Sequence, residues 1–409
     1  MRRAGALTLV GLLALTSGCR HFAAIGDLLS RREKVEEAIA RDGMQDDAAV
    51  EASRAELDAE LAREQGDAVA DAIEVRVGAE IQGDASVPVL ARLPLANPRA
   101  LRAQKEAQHA SSEAALAKLE EVALERRAAL CLPSLDRLVH AQQTQIYERY
   151  AARSRELVAW NAELARAGML DEVAAAGFEL ASKADLATRL PNPPPPAARN
   201  ERVFAVLPPL PERAEAFSAQ AEQVRAEVLR SQPVVGVHRA LRERYQALAK
   251  REDASRYPSL KFVDLGFEAV THRGQQQSAI ARVGVEIPFG TRARAEARHY
   301  SALANSQTSQ ERAVVEERTQ QAQLALAALQ AFQDRSAHWR ELLVLADSAE
   351  AVADRWFAQR LARPDEVADL LDEVFRTREA VLKARERAGL ADCSLLAATG
   401  VSAASWPRE

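Results

Sequence analysis

Between Gly290 and Pro364 lie 73 consecutive residues with neither glycine nor proline. A mean helix is roughly 11–12 residues long; unbroken, this run would extend about 110 Å at the rise of an α-helix. Inside it Ala322, Ala325, Leu329, Phe332, Ser336, Trp339, Leu343 and Ala346 recur at alternating steps of three and four, the seam of a coiled coil. The small residues of that seam let neighbouring helices approach closely. Aromatic residues make up only 5% of the 409, so the composition calls for long packed helices and not for thick globular cores.

The punctuation elsewhere divides the chain. Residues Ile25 to about Ile73 are acidic and helical in pattern, with a break near Gly43. Asn97 and Pro98 open a helical segment free of glycine and proline to Leu132; Pro133, Ser134 and Leu135 follow, and a second helical segment reaches Gly168. From Leu190 to Pro211 the chain is rich in proline, an extended linker. Beyond it the signals recur in order. Pro233 opens a helix as Pro98 does, Pro258-Ser259-Leu260 echo Pro133-Ser134-Leu135, and Pro364-Asp365-Glu366-Val367-Ala368 echo Leu170-Asp171-Glu172-Val173-Ala174. Three echoes in one order indicate a duplicated unit. Pro133 to Leu170 spans 37 residues and Pro258 to Pro364 spans 106, which predicts a truncated first unit.

At the N-terminus Arg2 and Arg3 precede an apolar run, Leu7 to Leu15, that is too short to span a bilayer and has the layout of a secretory signal. It ends in Thr16-Ser17-Gly18-Cys19, which resembles a lipobox with Cys19 as the acylated residue. The alternative is an ordinary signal cut a few residues away. With Arg20 and no aspartate after the cysteine, the resemblance implies an outer-membrane destination. Cys131 and Cys393 then remain, enough for one bridge at most and no disulfide framework. The formal charge is -5, and more negative without the two signal arginines. That balance argues against nucleic acid and against anionic membrane surfaces as partners. No stretch after residue 19 is apolar enough for a transmembrane helix.

Residues 260–288 break the helical period. Val263, Leu265, Phe267 and Ala269 alternate with Asp264, Gly266 and Glu268; after a polar stretch, Ala279, Ala281, Val283, Val285 and Ile287 alternate with Arg282, Gly284 and Glu286. Two strands of about ten residues have the length to cross a bilayer at a tilt. A soluble hairpin with one buried face shows the same alternation, but a lone hairpin at the tip of a helical rod has no core to rest on. In lipid its open edges must close against other copies.

The chain from about Leu95 to Gly400 resembles the outer-membrane efflux protein family, the TolC-like channels, and within it the branch paired with heavy-metal cation exporters. Asn97-Pro98 and Gln232-Pro233 at the helix starts, Tyr257-Pro258-Ser259-Leu260 entering the hairpin and Val283-Gly284-Val285-Glu286-Ile287-Pro288-Phe289-Gly290 leaving it carry the resemblance, with Leu370-Leu371-Asp372 and the closing stretch Leu395 to Gly400. It implies a mainly α fold: long antiparallel coiled-coil helices in two repeated units, with a transmembrane-type β-hairpin. It also implies a homotrimer in outer-membrane lipid, docked on a periplasmic adaptor protein and an inner-membrane pump and passing substrates such as metal cations or small toxic molecules outward. Carried onto this chain, Asp264, Glu268, Arg282 and Glu286 would face the lumen, and Val263, Leu265, Phe267, Val283, Val285 and Ile287 the lipid. Asp171, Glu172, Asp365, Glu366 and Asp369 would lie at the periplasmic tip, where acidic rings attract cations; as solvated helix ends they would need no such role.

The expected organisation is therefore a signal over 1–18, an acidic helical extension over 19–93, a first repeat over 94–190, a linker over 191–211, a second repeat over 212–400 with the hairpin at 260–288, and a tail over 401–409. The family has a hairpin in each half, yet Leu135, Leu138, Val139, Gln142 and Ile146 follow Pro133 at helical spacing. The first hairpin is thus expected to be missing, leaving three copies with six strands. The glycine of the family's second periplasmic turn is replaced within Arg360 to Pro364. A non-conducting structural lipoprotein is the competing class. An enzyme is disfavoured: the seven histidines are scattered, and no phosphate loop or nucleophile elbow appears. No cofactor or bound metal is expected.

Overall fold

The computed structural model describes residues 4–66, 74–77, 80–82, 84–94, 97–191, 193, 207–211, 217, 220–270, 276–287 and 291–406; the side chains of 4–22, of 65–94 and of most of the two strands after residue 259 lie outside the description. In chain order come α1 (Ala4–Asp42), α2 (Ala48–Gly66), the strands β1 (Glu74–Val77), β2 (Glu80–Gln82) and β3 (Asp84–Pro94), α3 (Pro98–Arg166), α4 (Glu172–Arg189), α5 (Ala221–Ser231), α6 (Pro233–Ala254), β4 (Ser259–Val270), β5 (Gln276–Glu286), α7 (Arg292–Asp334), α8 (Ser336–Gln359), α9 (Pro364–Thr399) and a 3-10 turn at Ala403–Ser405. The fold is mainly helical with one small antiparallel sheet, as the resemblance implied.

Four details correct the sequence reading. First, 19–93 is not helical throughout: β1, β2 and β3 occupy 74–94, so the missing hairpin stands ahead of Asn97 and not after Pro133. β1 and β2 pair successive parts of β3 and act as one interrupted strand. Second, the first repeat is not truncated. Pro94 and Pro288, the starts of α3 and α7 at Pro98 and Arg292, and Leu170 and Pro364 all stand 194 residues apart. The echo at Pro133 had set the repeat out of register.

Third, α3 runs through Pro133 for 69 residues. A proline inside a helix removes one backbone hydrogen bond and crowds the preceding turn; tertiary packing on both sides outweighs this. Cys131 is bridged to Cys393 with Cα atoms 5.8 Å apart, and Leu135 lies in a notch in α9 where a Cβ on Gly389 would come within 2.6 Å of it. Val139 and Leu382 complete that cluster. Fourth, the 73-residue run breaks at Arg335 between α7 and α8, and α8 itself ends at Gln359, before the run does. Even so, Ala322, Ala325, Leu329, Phe332, Ser336 and Ala346 of the expected seam are buried.

The chain forms two compact units, each drawing from both sides of the proline-rich linker: 1–123 with 233–315, and 124–232 with 316–409. In the first, Leu28, Ile39, Val50 and Leu57 of α1 and α2 close over Leu116 and Leu119 of α3. In the second, Leu326 and Leu329 of α7 pack with Val224 of α5 and Leu395 of α9. The linker's end is fixed there too: Leu207 is buried, and Arg385 donates to the carbonyls of Pro208 at 3.0 Å and Leu207 at 3.3 Å.

Within the first unit Glu64 is almost wholly buried, and its Oε1 lies 3.0 Å from His109 Nδ1. The hydrogen bond to Glu64 raises the His109 pKa above its ordinary value, with the nearby Glu113 and Glu243 adding to the effect. A histidine raised on folding stabilises fully below its unfolded pKa of about 6.5 and ceases to do so as the pH climbs through the raised value. The thermal midpoint is therefore expected to fall between mildly acid and alkaline pH. His109→Gln should flatten that slope in circular dichroism melts; an unchanged slope would refute the assignment.

Candidate functional site

The sheet is ordered β1-β3-β4-β5, with β2 also on β3. Its register fixes the faces. Val87, Val89, Ala91 and Leu93 of β3 stand opposite Ala269, Phe267, Leu265 and Val263 of β4, and Phe267, Leu265 and Val263 stand opposite Ala279, Ala281 and Val283 of β5. One face thus carries apolar positions across three strands. The other carries a row of alternating charge, Arg92 opposite Asp264 and Asp264 opposite Arg282. Glu268 stands opposite Pro88 and Ser278, and Glu286 opposite Ser259.

The two residue sets singled out from the sequence therefore occupy opposite faces. The side chains of Asp264, Leu265, Phe267, Glu268 and Glu286, like that of Cys19, lie outside the description. Of those described, Val283, Val285 and Ile287 are 59%, 57% and 54% exposed. Arg282 on the opposite face is exposed as well, so around these residues the chain's own helices cover neither face of β5. Among the described residues the sheet order also ends at β1 and β5, leaving two edges whose ladder groups have no described strand beside them. Gly284 has a local cause: a Cβ there would lie 2.3 Å from the Phe262 ring, which covers the glycine across the strand pair.

The second candidate region is formed by the turns after α3 and α8. Gly168 has a φ of 68° and closes the first turn, with the Met169 N–H donating to Leu164 O at 3.0 Å. At the second turn Arg360 itself takes the left-handed conformation, φ 54°, where the family pattern calls for glycine. Its guanidinium lies over the rings of Trp160 at 4.4 Å and Phe357 at 5.2 Å, contacts that offset the backbone cost.

Four of the five acids expected at this end are first-turn and capping groups, and the fifth, Asp369, lies further along α9. Asp171 accepts from the Val173 N–H at 3.2 Å, and Glu172 opens α4. Asp365 pairs with Arg363 at 2.9 Å, Glu366 accepts from the Arg363 N–H at 2.9 Å, and Asp369 is an exposed residue of α9. Sequence spacing did not reveal the neighbouring network around Arg189. That side chain lies between the Tyr150 and Phe375 rings at 4.9 and 4.7 Å and pairs with Asp185 and Asp372, while Tyr150 donates to Asp185 at 2.8 Å. Five residues from three helices meet there, and only their separation in the chain hid them.

Among the described residues no group of three His, Cys, Asp or Glu side chains is placed to hold a metal ion. No described helix is long and apolar enough to cross a membrane.

Helical hairpins in two repeats, each joined to a strand hairpin in a shared antiparallel sheet, define the TolC-like fold of outer-membrane efflux channels. Among solved structures the chain is similar to the CusC channel, with a TM-score of 0.57 at 14% identity over 90% of this chain and 92% of that one. It is similar to the outer-membrane protein VceC from Vibrio cholerae, with a TM-score of 0.57 at 14% identity over 92% and 97%. The open-state MtrE outer-membrane channel of Neisseria gonorrhoeae gives a TM-score of 0.55 at 13% identity over 90% and 88%. By sequence, no protein-family model and no curated protein matches.

Proposed function

We propose that this chain is a divergent member of the outer-membrane efflux protein family and the channel component of an efflux system. It carries substrates such as metal cations or small toxic molecules from the periplasm to the exterior. The observation that supports this reading best is the sheet: its path holds four strands per chain, with an apolar face, a charged face, two open edges and exposed aliphatic residues on β5. In a bilayer an open edge costs several kcal/mol for each unpaired backbone group, so such a sheet must close with others. Three copies supply twelve strands, within the range of known barrels, and not the six that a missing hairpin implied.

In that assembly Val263, Leu265, Phe267, Val283, Val285 and Ile287 face lipid, and Asp264, Glu268, Arg282 and Glu286 the lumen. The helices extend into the periplasm, and Asp171, Glu172, Asp365, Glu366 and Asp369 lie at the tip, where an adaptor and an inner-membrane pump dock. A signal over 1–18 exports the chain and Cys19 carries the lipid anchor. No catalytic chemistry is required of it. The competing reading, a non-conducting structural lipoprotein, would be favoured by a hairpin packed on protein and shielded from lipid; the exposure of Val283, Val285 and Ile287 supports the channel instead.

Purified, detergent-extracted protein should be trimeric by light scattering and should give stepwise conductance in planar bilayers. Trimers that insert without conducting would sink the channel reading; a protein whose hairpin does not insert and is shielded from lipid would favour the structural lipoprotein instead.

A further inference from the structure

The sheet meets the helices along one edge. Pro94 at the end of β3 stands opposite Phe262, and Ser259 at the start of β4 opposite Glu286 at the end of β5. Consequently the start of α3, the end of α6 and the start of α7 all emerge from the same end of the sheet. Two contacts tie them: Asn97 Nδ2 donates to Ala254 O at 3.1 Å, and Lys250 Nζ lies 3.4 Å from Glu106.

This edge is strongly basic. The segments 97–106, 250–258 and 291–299 together hold nine Lys and Arg against four Asp and Glu, in a chain whose net charge is -5. The arginine side chains project outward: Arg102 is 80% exposed and Arg292 91% exposed. Arg99, Arg294 and Arg298 are exposed and have no ion-pair partner among the described residues. Arg102 and Arg292 pair with Glu106 at 3.2 Å and Glu296 at 2.8 Å one turn along their own helices; neither α3 nor α7 has an acid in its first turn, so no such pairing accounts for Arg99, Arg294 and Arg298.

The exposed layers follow a definite order. Val283, Val285 and Ile287 lead along β5 toward the edge, and an exposed tyrosine, Tyr257 at 62%, sits between α6 and β4. Beyond them stand the arginines. Aliphatic, then aromatic, then cationic is the sequence of surfaces suited to acyl chains, the interfacial zone and anionic headgroups.

We propose that this arginine edge is a binding surface for the anionic phospholipid headgroups of the periplasmic leaflet, with the net negative charge of the headgroup as the recognised feature. The proposal rests on the reading that the sheet lies in the outer membrane. It also revises the inference from net charge, which argued against anionic membrane surfaces: the acidic balance resides elsewhere in the chain.

The test uses the full-length protein in nonionic detergent, titrated with phosphatidylglycerol or phosphatidylcholine and read by native mass spectrometry. The wild type should bind phosphatidylglycerol at least about tenfold more tightly, and a variant carrying R99Q, R292Q, R294Q and R298Q should lose that preference. Equal binding of the two lipids, a preference that survives in the variant, or displacement by equimolar inorganic phosphate would each overturn the proposal. Insertion is scored separately, as protease protection of the β4–β5 hairpin in phosphatidylcholine vesicles. Wild-type protein that inserts without a headgroup preference refutes only the lipid surface, whereas failure to insert refutes the membrane reading beneath it.

Discussion

Replacing Cys131 and Cys393 together by alanine is expected to lower stability by roughly 5 kcal/mol, the loop-closure value for a bridge between residues 262 apart. At about 2–4 °C per kcal/mol the thermal midpoint should fall by more than about 10 °C. The bridge joins α3 to α9 beside Leu135, Val139 and Leu382, so it staples the helix through Pro133 at the place where that helix has lost a backbone hydrogen bond. Calorimetry of the oxidised protein and the double variant checks this. A midpoint that does not move, or two thiols titratable in the unfolded, unreduced wild type, would show that the bridge does not form or does not matter.

The second large effect is a contrast between adjacent residues. Val283→Arg should destabilise the bilayer-inserted protein by up to about 2–4 kcal/mol, the value for an arginine on a lipid face at mid-membrane. Arg282→Val, one residue away on the opposite face, should cost well under half of that. Urea titration of the protein in phosphatidylcholine vesicles separates the two. If Arg282→Val proves the more damaging change, the faces have been assigned the wrong way round, and with them the lumen.

The β4–β5 hairpin was legible because each face is chemically uniform over several positions: Val263, Leu265 and Phe267 against Asp264 and Glu268. The first hairpin obeys the same rule on β3, with Val87, Val89, Ala91 and Leu93 in alternation. Pro88 interrupts its polar face, however, and β1 and β2 hold only four and three residues, too few for a period to show. A strand proline belongs to edges and starts in the general case; Pro88 meets that rule locally, since the pairings of β1 and β2 stop at Val89 and Ser86 on either side of it and its partner is Glu268 of β4.

The repeat was legible through Leu170 and Pro364, but a tripeptide echo at Pro133 carries too little information to fix a register, and it displaced the first unit. The coiled-coil seam from Ala322 to Ala346 could be read directly, since helical periodicity survives the break at Arg335. The Arg189 network and the Trp160–Arg360 stack could not be read, because each joins residues that only the fold brings together.

The duplicated unit has a consequence for stoichiometry. In the proposed trimer the turns at Gly168 and Arg360 would alternate around one rim, three of each. One kind is bare backbone; the other presents a guanidinium seated on indole. A ring-shaped partner made of identical copies would meet quasi-equivalent positions of two sorts, and it would have to settle whether it engages one sort in threes or tolerates both in sixes.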